Sequence, residues 1–416
     1  RSFLWMVTKT SMSSYVLAAG PDIERTAKLF YAAVAERGRD VHGEGPSQRA
    51  ARIEQADQEA TKSGDMLASL LLGQVAPQLG TYKLIIVTDG ALQYLPFAAL
   101  PSRSHQGEGL DSQVVSRNTR TGEAGPASGT RPLVLDHEII MMPSASALAS
   151  LLANLKGRSP APNDVAVFAD PVYSADDARL KTPRLEGQGH KESGSAQPAQ
   201  EDALLDISRA AQDFSSVHGT IHFPRLASSG WEGQKIYDLA PAGKRLIALD
   251  FDASHEKAKK PALSEYKIVH FSAHGLIDDV HPELSAIVLS LVDGHGRAID
   301  GFLRLQEIYN LNLPAELVML NACETGLGEQ VRGEGLVGLT RGFMYAGAAR
   351  VIVTNWTMRD RAAAVFAVRF YGKLLSNHAS ALRALHETQV EMATRSDLRQ
   401  WRAPYFWSGY TFMGVQ

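Results

Sequence analysis

The sequence predicts an α/β protein: a mostly parallel sheet covered on both faces, preceded by a smaller α/β lobe. Three observations carry this. Through the C-terminal half, continuous apolar runs alternate with segments of helical period, the pattern of strands buried on both sides. The N-terminal part has strand and helix signals of its own, and the Pro-rich break "GRSPAPND" follows them. The chain, at 416 residues, exceeds what one hydrophobic core usually supports. Lobes over residues 1–160 and 161–416 are therefore expected.

Each element has its own reason. Residues 1–18 read as a β-hairpin, with apolar positions alternating on either side of the polar turn "KTSMSS". In "PDIERTAKLFYAAVAERGRD", Ile23, Ala27, Phe30 and Val34 share one helical face, and "RAARIEQADQEATKSGDMLASLLLG" gives a second helix. "YKLIIVTDGALQYLPFAAL" predicts a buried strand, a turn at Asp89-Gly90 and a second short strand. Residues from about 102 to 132 are polar, rich in Gly and Ser and without period, so a mobile surface loop is expected. "LVLDHEIIMMPSASALASLLANL" is a strand running into a helix, and "VAVFADPVY" is another strand. A second structureless, mobile stretch covers about 176–203. Beyond it, "KRLIALDF", "YKIVHFSAHG", "ELVMLNAC" and "ARVIVTNW" read as strands. Between them lie the hairpin "SAIVLSLVDGHGRAID", the short helix "RLQEIYN", and the helix "GEGLVGLTRGFMYAGA" with Leu336, Leu339, Phe343 and Gly347 on one face. A long helix from Met358 to Leu375 follows the last strand.

Composition excludes several classes. A formal net charge of −3 excludes a strongly basic nucleic-acid binder. No apolar run reaches the roughly 18–20 residues of a membrane span, so no membrane partner is expected. The one cysteine, Cys323, can form neither an internal disulfide nor a thiolate metal cluster. A reducing, cytoplasmic setting without metal is the expectation. No G-x-G-x-x-G or G-x-x-x-x-G-K-[ST] directly follows a strand, so a nucleotide-binding sheet is disfavoured and no cofactor is expected. The chain opens without an initiator Met, and Phe3, Trp5 and Val7 already alternate, which reads as a piece of a longer polypeptide.

Parallel sheets display reacting groups at the carboxyl ends of their strands. Two strands here end in such groups: "KIVHFSAHG" in His274-Gly275, and "LVMLNACETG" in Cys323, 49 residues further on. A thiolate attacks an amide carbonyl far better than a thiol, and a neighbouring imidazole accepts the thiol proton and later protonates the leaving amine. Gly275 lets the main chain approach a substrate closely, so its N–H and that of Cys323 are candidate oxyanion donors. His-Gly occurs at two other places: His218-Gly219 follows no apolar strand, and His295-Gly296 lies in a hairpin turn, so both read as structural. A lone Cys after a strand is more often core than reactive; the pairing with His274 is what lifts Cys323 above that.

The blocks "HFSAHGLIDDVHPELSAIVLS", "LNACETGLGEQVRGEGLVGLTRGFMYAGAARVIVTNW" and "DGALQYLPFAALP" resemble the CHAT domain, a caspase-like cysteine protease family related to separase. The resemblance extends from "RSFLWMVT" through "PRL" (183–185 or 224–226) to "PYFWSGYTFMG". It implies a caspase-like three-layer α/β/α fold, a His274/Cys323 dyad with Gly275 as oxyanion glycine, and a non-catalytic pseudo-protease role for residues 1–160. It also implies tetratricopeptide repeats ahead of the domain, a regulatory partner acting through them, and a bacterial source. Ala273 stands where the family pattern leads one to expect threonine.

The substrate is read as a protein or peptide, bound at residues that leave alternatives open. Trp356 walls a side-chain pocket or belongs to the core. Asp360 selects a basic residue or closes a T-x-x-D capping box with Thr357, the cap being favoured. Asn321 is a neutral pocket-lining candidate. Asp278 and Asp279 either orient the imidazole or belong to a loop, and Glu324 reads as supportive. The competing class is a catalytically silent caspase-like module that binds a partner protein.

Overall fold

The computed structural model describes residues 1–102, 131–180, 223–278, 281–321 and 334–415. Most of both expected loops lies outside the described residues, as do His218-Gly219, Asp279, Cys323, Glu324 and the glycines at 326 and 328. The chain divides into two compact units, Arg1–Met141 with Gln389–Gly409, and Met142–Thr388 with Tyr410–Gln416.

The first unit opens with an antiparallel hairpin, β1 (Ser2–Val7) on β2 (Met12–Leu17), in register from Ser2↔Leu17 to Val7↔Met12. Helix α1 (Gly20–Ala35) buries Ile23, Ala27, Phe30 and Val34, the face its periodicity marks, and packs on α2 (Pro46–Leu72). A short helix, α3 (Ala76–Leu79), precedes β3 (Leu84–Val87). That strand is half buried rather than buried: Ile85 and Val87 face outward. The expected second strand is instead two 3₁₀ turns, Gly90–Tyr94 and Phe97–Ala99. Pro96 and Pro101 fix φ and remove ladder donors, so the segment buries Leu95, Phe97 and Leu100 through turns. Strands β4 (Pro101–Ser102) and β5 (Arg131–Pro132) form a two-residue ladder. "LVL" is likewise a 3₁₀ turn, and the strand starts later, as β6 (Ile139–Met142) beside β3.

The second unit begins with α4 (Ala145–Leu155), N-capped by the Ser144 hydroxyl, which accepts from Ala147 N–H at 3.0 Å. Strand β7 (Asn163–Pro171) follows, then α5 (Ala227–Leu239), β8 (Arg245–Asp250), α6 (His255–Ala258) and β9 (Tyr266–Ser272). A small antiparallel sheet comes next: β10 (His274–Leu276), β11 (Ala286–Val288) and β12 (Phe302–Arg304). The chain returns through α7 (Leu305–Tyr309) to β13 (Leu317–Leu320), α8 (Glu334–Tyr345), β14 (Arg350–Thr354), α9 (Asp360–Tyr371), α10 (Ala381–Thr394) and β15 (Tyr410–Gly414). The main strands of this unit run in the order β8-β7-β9-β13-β14-β15. Every neighbouring pair is parallel except β14 with β15.

Both faces are covered. Ala166 and Phe168 of β7 join a core with Phe271, Leu339, Phe343 and Ile308, so α7 and α8 cover that side. The alternate residues Val167 and Ala169 face α5. Two helix ends differ from expectation. The α8 face closes at Phe343; Gly347 lies past the helix end at φ +115°, where a Cβ would stand 3.2 Å from Leu313 O, a turn few other residues adopt. Helix α9 starts at Asp360, two residues after Met358, and ends at Tyr371 in a π-turn over Gly372–Ser376.

Candidate active site

Strand β9 stops at Ser272, and His274 opens the small sheet rather than closing the large one, pairing across to Val288. Ala273 between them is buried in the apolar core, where a methyl group leaves no hydroxyl to satisfy. His274 is 6% exposed, and its ring clusters with two aromatic rings, Tyr173 at 5.0 Å and Phe223 at 5.5 Å between centroids. Its backbone N–H donates to the Tyr173 hydroxyl at 3.2 Å. Its Nε2 lies 2.7 Å from the carbonyl oxygen of Pro224. A carbonyl only accepts, so Nε2 carries the hydrogen and Nδ1 is the basic nitrogen of the neutral ring. The backbone of "PRL" at 224–226 thus sets the tautomer; the copy at 183–185 lies outside the described residues.

That backbone is itself held. Arg225 forms a fork onto Asp170, Nε to Oδ1 at 2.9 Å and a terminal nitrogen to Oδ2 at 2.6 Å. Asp170, buried at the carboxyl end of β7 with φ +47°, also lies 3.1 Å from Arg179. Arg179 reaches on to Asp250 at the end of β8 and to Asp177. The Arg179 hydrogen bonds hold the Asp177 carboxyl down at about 2, against the opposing effect of burial.

Helix α5 follows this segment and comes close to β7. A Cβ on Gly233 would stand 2.9 Å from Ala169 Cβ, so only glycine fits there without moving the helix. The approach buries Glu232 to 1% exposure over the carboxyl ends of β9 and β13. Glu232 Oε1 accepts from His270 Nε2 at 2.9 Å and from Asn321 Nδ2 at 2.7 Å, and Oε2 accepts from Ser272 Oγ at 2.8 Å. Tyr371 OH lies 3.2 Å from His270 Nδ1, and Tyr410 OH donates to Asn321 Oδ1 at 3.1 Å. Burial, then the Glu232 charge, raises the Tyr371 phenol well above its ordinary range.

The remaining site candidates are placed as follows. Asn321 is buried just after β13, its amide engaged at both ends as above. Trp356 is buried between β14 and α9. Asp360 does not close a capping box on its own helix, whose N-cap is Arg359; its Oδ2 accepts from Ser228 N–H at 2.7 Å, satisfying the first turn of α5. Burial raises the Asp360 carboxyl above its usual range, with the charges of Glu232 and Asp170 adding to the effect against the Ser228 bonds. Asp278 is buried, with Oδ1 accepting from His281 N–H at 2.7 Å in its own loop. Gly275 lies in β10 opposite Ile287. His295-Gly296 sits in the Asp293 turn, His295 N–H donating to Asp293 Oδ1. Among the described residues no His/Cys/Asp/Glu cluster is arranged to hold a metal, and no helix is long and apolar enough to cross a membrane.

Sequence reasoning missed the roles of Glu232, Tyr173 and Arg225: Tyr173 closes the strand segment "VAVFADPVY", Arg225 lies in the "PRL" motif, and Glu232 is in a segment left unread. One signal was present: His270 and Ser272, polar residues at alternate positions in an otherwise apolar strand, demand a buried polar partner on that face.

Mouse tetratricopeptide repeat protein 28 is 29% identical over 187 residues, covering 37% of this chain, and the human protein of the same name is 28% identical over the same length. The chain spans about 7% of the length of these relatives. Two structures of the Saccharomyces cerevisiae separase–securin complex are distantly similar. One covers 67% of this chain and 14% of that one at 13% identity and a TM-score of 0.33; the other covers 96% and 27% at 10% and 0.45. The CHAT domain matches residues 61–415, from α2 through β15, and the chain belongs to that family.

Proposed function

We propose that the chain is a cysteine endopeptidase of caspase-like type, cutting peptide bonds in protein substrates through His274 and Cys323. The observation that carries this is the Pro224 carbonyl on His274 Nε2, which leaves Nδ1 as the proton acceptor. Membership of the CHAT family supports it. In the reaction Nδ1 takes the Cys323 thiol proton, and the thiolate adds to the substrate carbonyl carbon. The N–H groups of Gly275 and Cys323 donate to the oxyanion. Collapse breaks the C–N bond; the amine leaves with the proton from Nδ1, and a thioester remains. Water then adds to the thioester, giving its proton to Nδ1, and the acid departs as the thiol is restored. The first unit holds no cysteine, which fits a non-catalytic lobe. The relatives are named for tetratricopeptide repeats, and a repeat region or a partner bound to it is the regulator we assign.

The second reading, a silent module that binds a partner protein, draws support from the burial of His274 against Tyr173 and Phe223. Labelling decides between them. Cys323 is the only thiol, so intact mass reports it alone when peptidyl electrophiles differing at the residue before the warhead are applied. For the protease, His274→Ala slows labelling by about 10²-fold or more, and the peptide sequence matters. Equal, sequence-blind labelling of both proteins supports the silent module.

A further inference from the structure

We infer that Glu232 is a positioning residue for the proposed dyad, cross-bracing the ends of β9 and β13, the strands that precede His274 and Cys323 in the chain. The inference rests on the protease reading above. Its basis is the way three donors converge on one carboxylate. His270 and Ser272 lie on one face of β9, and Asn321 follows β13 beside them, its own N–H donating to Phe271 O at 2.9 Å. Ser272 precedes His274 by two residues, and Asn321 precedes Cys323 by two.

A bracket of this kind is more than filler between helix and sheet. An apolar side chain would cover the same strands without desolvating a charge, and such replacements are often neutral or stabilising. What an apolar residue cannot supply is directional contact with both strands at once. The bracket is also built from outside: Tyr371 of α9 backs His270, and Tyr410 of β15 backs Asn321 while stacking on Phe366 at 3.6 Å between centroids. Glu232, His270 and Asn321 are each held from more than one side, and Ser272 is tied to Glu232, so the bracket's geometry is over-determined. Fixing the strand ends fixes where the two reacting residues start, and misplacement by about an ångström is enough to lose a large factor in rate.

The test is the rate of Cys323 alkylation by a peptidyl electrophile against pH, in wild type, Glu232→Gln, Glu232→Ala and His274→Ala, with thermal melts alongside. Gln keeps the bracket: its carbonyl accepts from His270 and Asn321 while its NH₂ donates to Ser272 Oγ. Glu232→Gln is therefore expected to stay within about threefold of wild type and to keep the pH inflection. Glu232→Ala is expected to fall at least about tenfold and to titrate as an ordinary thiol, near 8.5, while still melting well above the assay temperature. A folded Glu232→Ala with the wild-type rate and inflection overturns the inference, and so does a Glu232→Gln as slow as the alanine variant. If Glu232→Ala does not fold, Ser272→Ala removes one of the three bonds and is expected to slow labelling by roughly threefold; an unchanged rate overturns the bracket. Failure of the protease reading is separate: there His274→Ala matches wild type at every pH.

Discussion

At the scale of single residues, the tautomer of His274 is decided by a backbone oxygen. Pro224 has no N–H, and its carbonyl is offered to the imidazole because Arg225, one residue on, is clamped to Asp170. Arg225→Ala is expected to cost about 1–2 kcal/mol in urea unfolding, the lower part of the range for charged hydrogen bonds because the guanidinium is partly solvated. The same variant should also slow Cys323 labelling, since the Pro224 carbonyl is then held only by its neighbours. An unchanged labelling rate would mean that Phe223 and the backbone alone hold that oxygen. Asn321 and Asp360 show how tertiary contacts engage single side chains. Both were candidates for contact with substrate, yet each side chain is engaged with the protein itself, Asn321 through Glu232 and Tyr410 and Asp360 through the α5 terminus.

Helix α5 shows what decides placement at the scale of elements. Its sequence, "ASSGWEGQKIYDL", has two glycines and no strong apolar stripe, so periodicity gives it little support as a helix. Packing makes it one. Gly230 and Gly233 remove the side chains that would strike Asp170 and Ala169, and the helix settles onto β7 closely enough to bury Glu232. Gly233→Ala gains up to about 1 kcal/mol of helix propensity but forces its Cβ onto a fixed methyl group, which typically costs about 1–3 kcal/mol. The net expectation is a lower urea midpoint and a loss of the bracket around Glu232, read as slower labelling of Cys323. A raised midpoint would show that the helix moves off the strand at no cost.

Over the molecule as a whole, acid sensitivity follows from paired charges in the second unit, some near neighbours along the chain, as Asp177 with Arg179, and others far apart, as Glu307 with His255 and Lys259. The Asp177 carboxyl, bonded to Arg179, is lowered to about 2; burial pushes the Glu307 carboxyl up, but the bonds from His255, Lys259 and the Arg304 backbone together outweigh it and bring it to about 2. Folded values below the ordinary 3.8 and 4.5 mean stability that is fully present above those values and lost as the pH falls toward about 2. Asp177→Asn is expected to flatten melting temperature against pH between about 4 and 2, and an unchanged slope would refute its part in the loss. The sequence by itself determined the strand–helix alternation and the buried face of α1, and it singled out His274 and Cys323 as candidates from the apolar runs before them. Apolar period and turn chemistry are local properties, and a residue's neighbours along the chain carry them. It could not say that "LPFAALP" turns instead of extending, that α5 is a helix, or that a glutamate from α5 and a proline carbonyl before it would meet β9, β13 and His274. Those outcomes depend on which surfaces come within hydrogen-bond reach after the sheet forms, and only tertiary packing sets those distances.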